Sequence, residues 1–408
     1  MAVADVDFEA LDRILASSST ASFSPNDDSR FGRGWKQSSV HIQVPHGVKK
    51  SAESRPTSEQ CRFEATGVLH RSIPDVVCNA FSQPSATEYW ERPDTKATEN
   101  VYSQFYSSSA FIEAHDDVQN LTPEPDCTLP RAAGIFIASD AAHLTDTGTA
   151  TIHPFNVIIA NNDKYENARP TNHAIHPVVI LPRLSDTIET FANDIPGTTK
   201  KSRENAVFTH CRREYYHGAL RLLFDNDFWA MYRHGRVVKC ADGVTRRLYL
   251  RLFLYCADYP EKVIVATIRD GGGCPCPRCL VKHADLHKIG TKDDIETRKS
   301  KTRVDDLDRR KKVKRARQAI YGDGYAVTSD QVETELKDES YVPVQNALSV
   351  DIPGVSINVF SIFAVDLMHE IELGVWLGLL THLVRILHTL GHEKIRLLND
   401  RYCVCVHR

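Results

Sequence analysis

No apolar run in this chain reaches the roughly 18 residues that a bilayer-spanning helix needs. The best candidate, Leu373–Leu390, is interrupted by His382, Arg385 and His388, so no membrane partner is expected. The N-terminus, MAVADVDFEALDRIL, carries acids and lacks the apolar core of a signal peptide. An excess of positive charge is also missing. The chain has 50 Lys and Arg against 53 Asp and Glu, a net charge of −3. That excludes a uniformly basic nucleic-acid binder and leaves room for a local basic patch. There is no internal repeat. What remains is ordinary globular composition, 42% hydrophobic and 25% charged over 408 residues, enough for several domains and a large core. The 11 cysteines, without a secretory signal, point to a reducing compartment, where most are free thiols and a clustered set is a metal candidate.

Patterning divides the chain. Residues 1–60 read as a disordered N-terminal segment, because SSSTASFSPNDDSRFGRGWKQSS is polar with few apolar anchors. Residues 61–130 carry scattered aromatics without a clean period and read as irregular. From 131 to 270 the signals sharpen. Gly134–Ser139, Thr149–Ala160 (with Pro154 as a bulge or edge position) and Ala174–Leu181 read as strands. Residues 186–201 read as a loop. Asn205–His234 has helical spacing, weakened by Gly218. Arg236–Lys239 and Arg247–Tyr255 read as strands joined at Asp242-Gly243, and Pro260–Arg269 as a helix or, from its β-branched content, a strand. This order predicts an α/β protein with a ribonuclease-H-like mixed sheet, helices on its faces and acids at strand ends. Residues 271–350 read as an insertion holding a cysteine knuckle and a solvated, densely charged stretch. Residues 351–408 begin a mostly helical segment, with Ile371–Leu390 amphipathic and the end falling within a domain.

Four constellations could carry chemistry. Asp140 and Asp258 each follow a strand, and paired carboxylates can hold the divalent ions used in phosphodiester cleavage and transfer. Asp at a strand end is equally a turn former or helix cap, and Asp146, Asp163 and Asp242 compete. Cys276 and Cys279 have the C-x₂-C spacing of a zinc knuckle. His283 and His287, one helical turn apart, could complete it, or else the distant Asp366 and His369, spaced i,i+3; a free-thiol or redox loop is the plainer alternative. The run Arg309, Arg310, Lys311, Lys312, Lys314, Arg315 and Arg317 suits DNA phosphates or a nuclear-import signal, unless it is a solvated face paired with Asp305, Asp306 and Asp308. Finally, Asp366, His369, Glu370 and Glu372 open the last helix, where a His and a carboxylate on one face could act as acid/base groups or metal ligands, while the helix dipole alone accounts for Asp366 and Glu370.

Three blocks in order resemble the Plavaka-type, CACTA-like transposases of fungi: ASDAAHLTDTGTATIHPFNVIIANNDKY, then TRRLYLRLFLYCADYPEKVIVATIRDGGGCPCPRCLVK, then VDLMHEIELGVWLGLLTHLVRIL. The resemblance runs from about residue 100 to 400. It implies a ribonuclease-H-like core that cuts and joins DNA ends with Mg²⁺ or Mn²⁺, in the nucleus and on transposon ends, and it allows a homo-oligomer. On it, Asp140 matches the first catalytic acid and Asp258 the second. Cys276 and Cys279 match a C-x₂-C block, and Asp366 and His369 a D-x₂-H block, at a shared structural Zn²⁺. The third acid, a Glu, is expected beyond a helical insertion, and the chain ends inside that region. Glu370 or Glu372 could replace it only if the final helix abuts the sheet. Ala141-Ala142 departs from the small hydroxyl residues usual in the first block, and the tail CVCVHR does not resemble the family. A truncated or decayed copy is therefore expected, with impaired cleavage, or else an inactive DNA- or protein-binding module that keeps its zinc.

Overall fold

The computed structural model describes residues 34–49, 55–83, 89, 104–121, 129–143, 151–196, 205–355 and 357–406. Most of the segment expected to be disordered, residues 1–33 included, and the rival acid Asp146 lie outside them. The strands are β1 (Lys36–Gln43), β2 (Arg62–His70), β3 (Leu129–Ser139), β4 (Ala142–His143), β5 (Thr151–Ile159), β6 (Ile175–Pro182), β7 (Arg236–Lys239) and β8 (Thr245–Cys256). The helices used below are α1 (Ile73–Ser82), α2 (Ser109–Gln119), α3 (Thr187–Asp194), α4 (Asn205–Leu223), α5 (Asn226–His234), α6 (Tyr259–Val265), α7 (Lys292–Ser300), α8 (Leu307–Arg317), α9 (Asp330–Leu336), α10 (Leu377–Thr389) and α11 (His392–Val406).

One mixed, 8-stranded sheet organises the chain, in the order β1-β2-β6-β5-β3-β8-β7, with β4 paired to β5. All neighbours run antiparallel except β3 and β8, which are parallel. Strand side chains alternate between faces, and β3 shows it. Ala133, Ile135 and Ile137 join the main core with Cys211, Tyr215 and Ala219 of α4. Phe136 points the other way, onto Phe105, 4.6 Å between ring centroids, and Phe105 in turn meets Phe111 of α2. The sheet is thus covered on both faces. Pro154 sits in a central strand beside a register shift at Phe155/Asn156, where a bulge relieves the hydrogen bond it cannot donate.

Several elements depart from the patterning. Residues 61–130 hold β2, α1 and α2, and β1 lies within residues 1–60. Residues 187–194 form α3, not a loop; Ile188 and Ala192, one turn apart, are buried. The long helical tract breaks at Asp225, which caps α5 through Phe228 N at 2.9 Å, and not at Gly218. Gly218 lets α4 approach β1: a Cβ there would lie 2.2 Å from Val40 Cγ1. The charged stretch is not merely solvated, since Val313, Ala316, Ile320, Val332 and Leu336 belong to the main core.

The C-terminal helices differ from the rest. Leu367–Trp376 winds with the wider π spacing and leads into α10, and no residue of either is buried. Among the described residues, Leu367–Thr389 is the one segment long and apolar enough to cross a membrane, on length and composition alone, with a mean hydropathy of 1.3. The three polar residues expected to interrupt it include two histidines, which weigh less against hydropathy than full charges do.

Candidate active site

The parallel pair β3 and β8 fixes the position of the two predicted acids. Ala138 stands opposite Cys256. Asp140 and Asp258 each follow by two residues, so both carboxylates leave neighbouring strands at the same level. Adjacent strands lie about 4.8 Å apart. Asp258 is also the N-cap of α6, with Oδ1 accepting from Glu261 N at 3.0 Å. The capping role therefore occupies one of its oxygens and leaves Oδ2. Asp140 is exposed, yet the protein around it and the charges of Asp258 and Glu261 push its carboxyl above the usual range, against the pull of His369.

A third segment reaches the same end of the sheet. β7 covers only Thr245–Leu248 of the β8 edge. Beyond it, Phe363 bridges Tyr255 in parallel, with Tyr255 N donating to Ile362 O at 2.7 Å. Asp366 follows Phe363 by three residues, as Asp258 follows Tyr255. The segment that leads into the final helix thus pairs with the sheet edge. There Asp366 accepts from His369 N at 3.0 Å, and its Oδ2 accepts from His369 Nδ1 at 2.6 Å. The hydrogen bond to Asp366, with the charges of Asp366, Asp140 and Asp258, raises the His369 imidazole above its ordinary value against partial burial. Glu370 pairs with the buried ammonium of Lys262 on α6.

Beneath the acids lies a group that the sequence reading passed over. Glu261 is 4% exposed. Its carboxylate accepts from the hydroxyls of Ser139 at the end of β3 and Tyr216 on α4, from Tyr255 of β8 at 3.0 Å, and from His153 Nε2 of β5 at 2.7 Å. Burial alone would raise this carboxyl; the hydrogen bond and charge of His153, helped by Ser139 and Tyr216, hold it below the usual range. His153 is raised in turn, as Glu261, Asp140 and Asp258 overcome its own burial. The spacing Asp258-x-x-Glu261 reads as an ordinary helix-capping pair; the one hint of more was a His in β5 at the same strand end.

The other sequence candidates fare differently. Asp163 caps a short helix through Tyr165 N at 2.7 Å. Asp242 is held down to about 2 by Arg246, which bonds both its oxygens. Cys276 and Cys279 are paired: the Cys279 thiol and the N–H groups of Arg278 and Cys279 pull Cys276 down to about 5 and favour its thiolate. The loop is stapled by Arg303, fully buried, which donates to the carbonyls of Cys274, Cys276 and Glu339 at 2.7–2.9 Å. Cys274 turns its thiol onto the carbonyls of Leu280 and Asp338, both at 3.5 Å. His283 and His287 lie on a 3₁₀ turn, His283–Lys288, where residues four apart are rotated by about 120° and do not share a face. Among the described residues, no three His, Cys, Asp or Glu side chains converge on a metal position. Cys276 and Cys279 therefore supply half of a tetrahedral zinc set without Asp366 and His369, and no zinc chemistry is assigned to them.

The basic run is largely spoken for. Arg309 and Arg310 bond Asp305 at 2.6 and 2.9 Å, Lys312 bonds Glu339 at 2.6 Å, Arg315 bonds Glu335 at 2.7 Å, and Arg317 bonds Glu214. Lys311 lies 4.0 Å from Asp308, and Lys314 is exposed. These pairs dock α8 onto the body.

A search of curated proteins returns no match. The family model described as Plavaka transposase matches residues 29–384, a span that includes both strand-end acids, the cysteine loop and the Asp366–His369 turn. The chain belongs to the Plavaka transposase family.

Proposed function

We propose that this chain carries the DNA cleavage and strand-transfer centre of a transposase on a ribonuclease-H-like core, acting in the nucleus on transposon ends. The observation that carries the reading is the level placement of Asp140 and Asp258 at the ends of the parallel strands β3 and β8 in a chain of this family. The chemistry of the donor set suits Mg²⁺ or Mn²⁺: both side chains are hard oxygen donors, and the Asp140 carboxyl is raised first by burial and then by the charges of Asp258 and Glu261. Asp140 and Asp258 would hold such an ion, which would supply Lewis-acid chemistry at the phosphodiester. The chain's own part is to keep the carboxylates in place. Asp258 is fixed by its cap to α6, and Glu261 locks β3, β5, β8 and α4 together beneath them.

One observation favours a second reading, an inactive DNA- or protein-binding module: no three ligand side chains converge among the described residues. Nicking of supercoiled plasmid DNA with Mn²⁺ separates the two. The first reading expects nicking that Asp140→Asn and Asp258→Asn each abolish. Nicking that survives in both variants overturns it. DNA binding with a steep salt dependence and no nicking in the wild type supports the second.

A further inference from the structure

We infer that the cavity between the β1–β2 connection and the turn after α8 is a binding site for one phosphate group, and that its ligand is a backbone phosphate of DNA. The source of the phosphate rests on the reading above; the site itself does not. The cavity measures about 340 Å³, at the lower end of ligand pockets, which run roughly 300–1,000 Å³. That is room for a phosphate and its sugar. None of the described residues that line it is acidic. β1 runs in the same sense as β3, four antiparallel pairings away. Gln43 therefore leaves the sheet at the end from which Asp140 and Asp258 leave, the end where DNA lies if those acids act on it.

The donors are built into the walls. Arg55 supplies the charge. Its Nη2 donates to the carbonyls of Tyr321 and Gly322 at 3.0 and 2.8 Å, at the end of the π turn Gln318–Gly322. Two carbonyls fix the guanidinium without neutralising it. Unlike the paired basic run of α8, Arg55 has no carboxylate partner among the described residues, and its Nε and Nη1 make no hydrogen bond there. A guanidinium fork matches phosphate oxygens. His46 supplies a neutral donor and is 5% exposed. Its Nδ1 accepts from Val48 N at 3.0 Å, so the neutral ring carries its proton on Nε2. Burial and the charge of Arg55 hold the ring below its ordinary value and keep it neutral. Nε2 makes no hydrogen bond among the described residues, and the ring lines the cavity. A buried N–H left without a partner is costly, and an anion in the cavity gives it one. At the rim, Thr57 Oγ1 accepts from Gln60 N at 3.3 Å, which leaves its O–H to donate. Burial pushes the Cys61 thiol up to about 11, so it adds no negative charge.

Two probes test this on the full chain. Inorganic phosphate, read by broadening of its phosphorus NMR line, tests the site. A labelled DNA duplex, read by fluorescence anisotropy across a salt series, tests the source. Arg55→Met removes the guanidinium. Thr57→Glu, at an exposed position, sets a negative charge at the rim and keeps an acceptor for Gln60 N. Each is expected to weaken phosphate binding at least about tenfold, the loss of one charge-assisted hydrogen bond. Each is also expected to lower DNA affinity, and Arg55→Met to flatten the slope of log affinity against log salt by about one. Asp140→Asn is expected to bind phosphate as wild type does. Wild type that binds no phosphate, or Thr57→Glu that binds it as wild type does, overturns the site. Phosphate binding lost in both variants with DNA binding unchanged overturns the DNA assignment and upholds the phosphate site. Wild type that binds phosphate but no DNA upholds the site and overturns the DNA-cleavage reading.

Discussion

Glu261 is the residue on which the floor of the site depends. Four partners from β3, β5, β8 and α4 meet its two oxygens, so one carboxylate joins every element that carries the strand-end acids. Glu261→Gln keeps the shape and removes the charge that the His153 ring answers. It should destabilise the fold by about 1–3 kcal/mol, the cost of leaving buried polar groups badly paired, seen as a lower urea midpoint at unchanged m-value. The pair also has a pH signature. Glu261 is depressed in the folded state, so its contribution is present above the unfolded carboxyl value and lost as pH falls through the folded one. His153 is raised, so its contribution is full below the unfolded imidazole value and lost as pH rises through the folded one. The network is therefore strongest between about pH 4.5 and 6.5. Melting temperature against pH should show the wild type gaining over His153→Gln in that window and the two curves drawing together above it; parallel curves throughout would contradict the assignment.

At the scale of elements, two contacts can be tested directly. Gly218 sits mid-helix, where Ala is ordinarily favoured by about 1 kcal/mol. Because a Cβ there would overlap Val40, Gly218→Ala should instead destabilise by about 1–3 kcal/mol. Arg303→Met strips three carbonyls of their donor. Hydrogen exchange at residues 274–281 should rise sharply, while the amides of β3 and β8 stay protected. The strands β3, β5, β6, β7 and β8 were legible because their apolar runs are bounded by turn residues and reach the core without help. β1 and β2 were not: KQSSVHIQ pairs its polar positions with solvent and its register with β2, and a polar edge strand looks like a loop until its partner is known. The charged helix α8 misled for a related reason. Its buried face is only Val313 and Ala316, continued by Ile320, while Arg309 is buried through Asp305, and a paired arginine in a core carries no signal in hydropathy.

At the scale of the molecule, the parallel pairing of β3 with β8 across more than a hundred residues of sequence is what turns two isolated Asp residues into a pair. The acids themselves were legible from strand ends and from the family blocks. Their shared level was not, because register between distant strands is a tertiary property. The same holds for the Asp366–His369 turn, which the family resemblance allied with the cysteines and which follows the segment paired to the β8 edge. The most direct test of the central claim is anomalous diffraction from a crystal of the full chain soaked in Mn²⁺. The account predicts a peak between Asp140 and Asp258, with carboxylate oxygens of both at about 2.1 Å. A well-ordered crystal with Mn²⁺ bound elsewhere, and nothing between these two side chains, would contradict it.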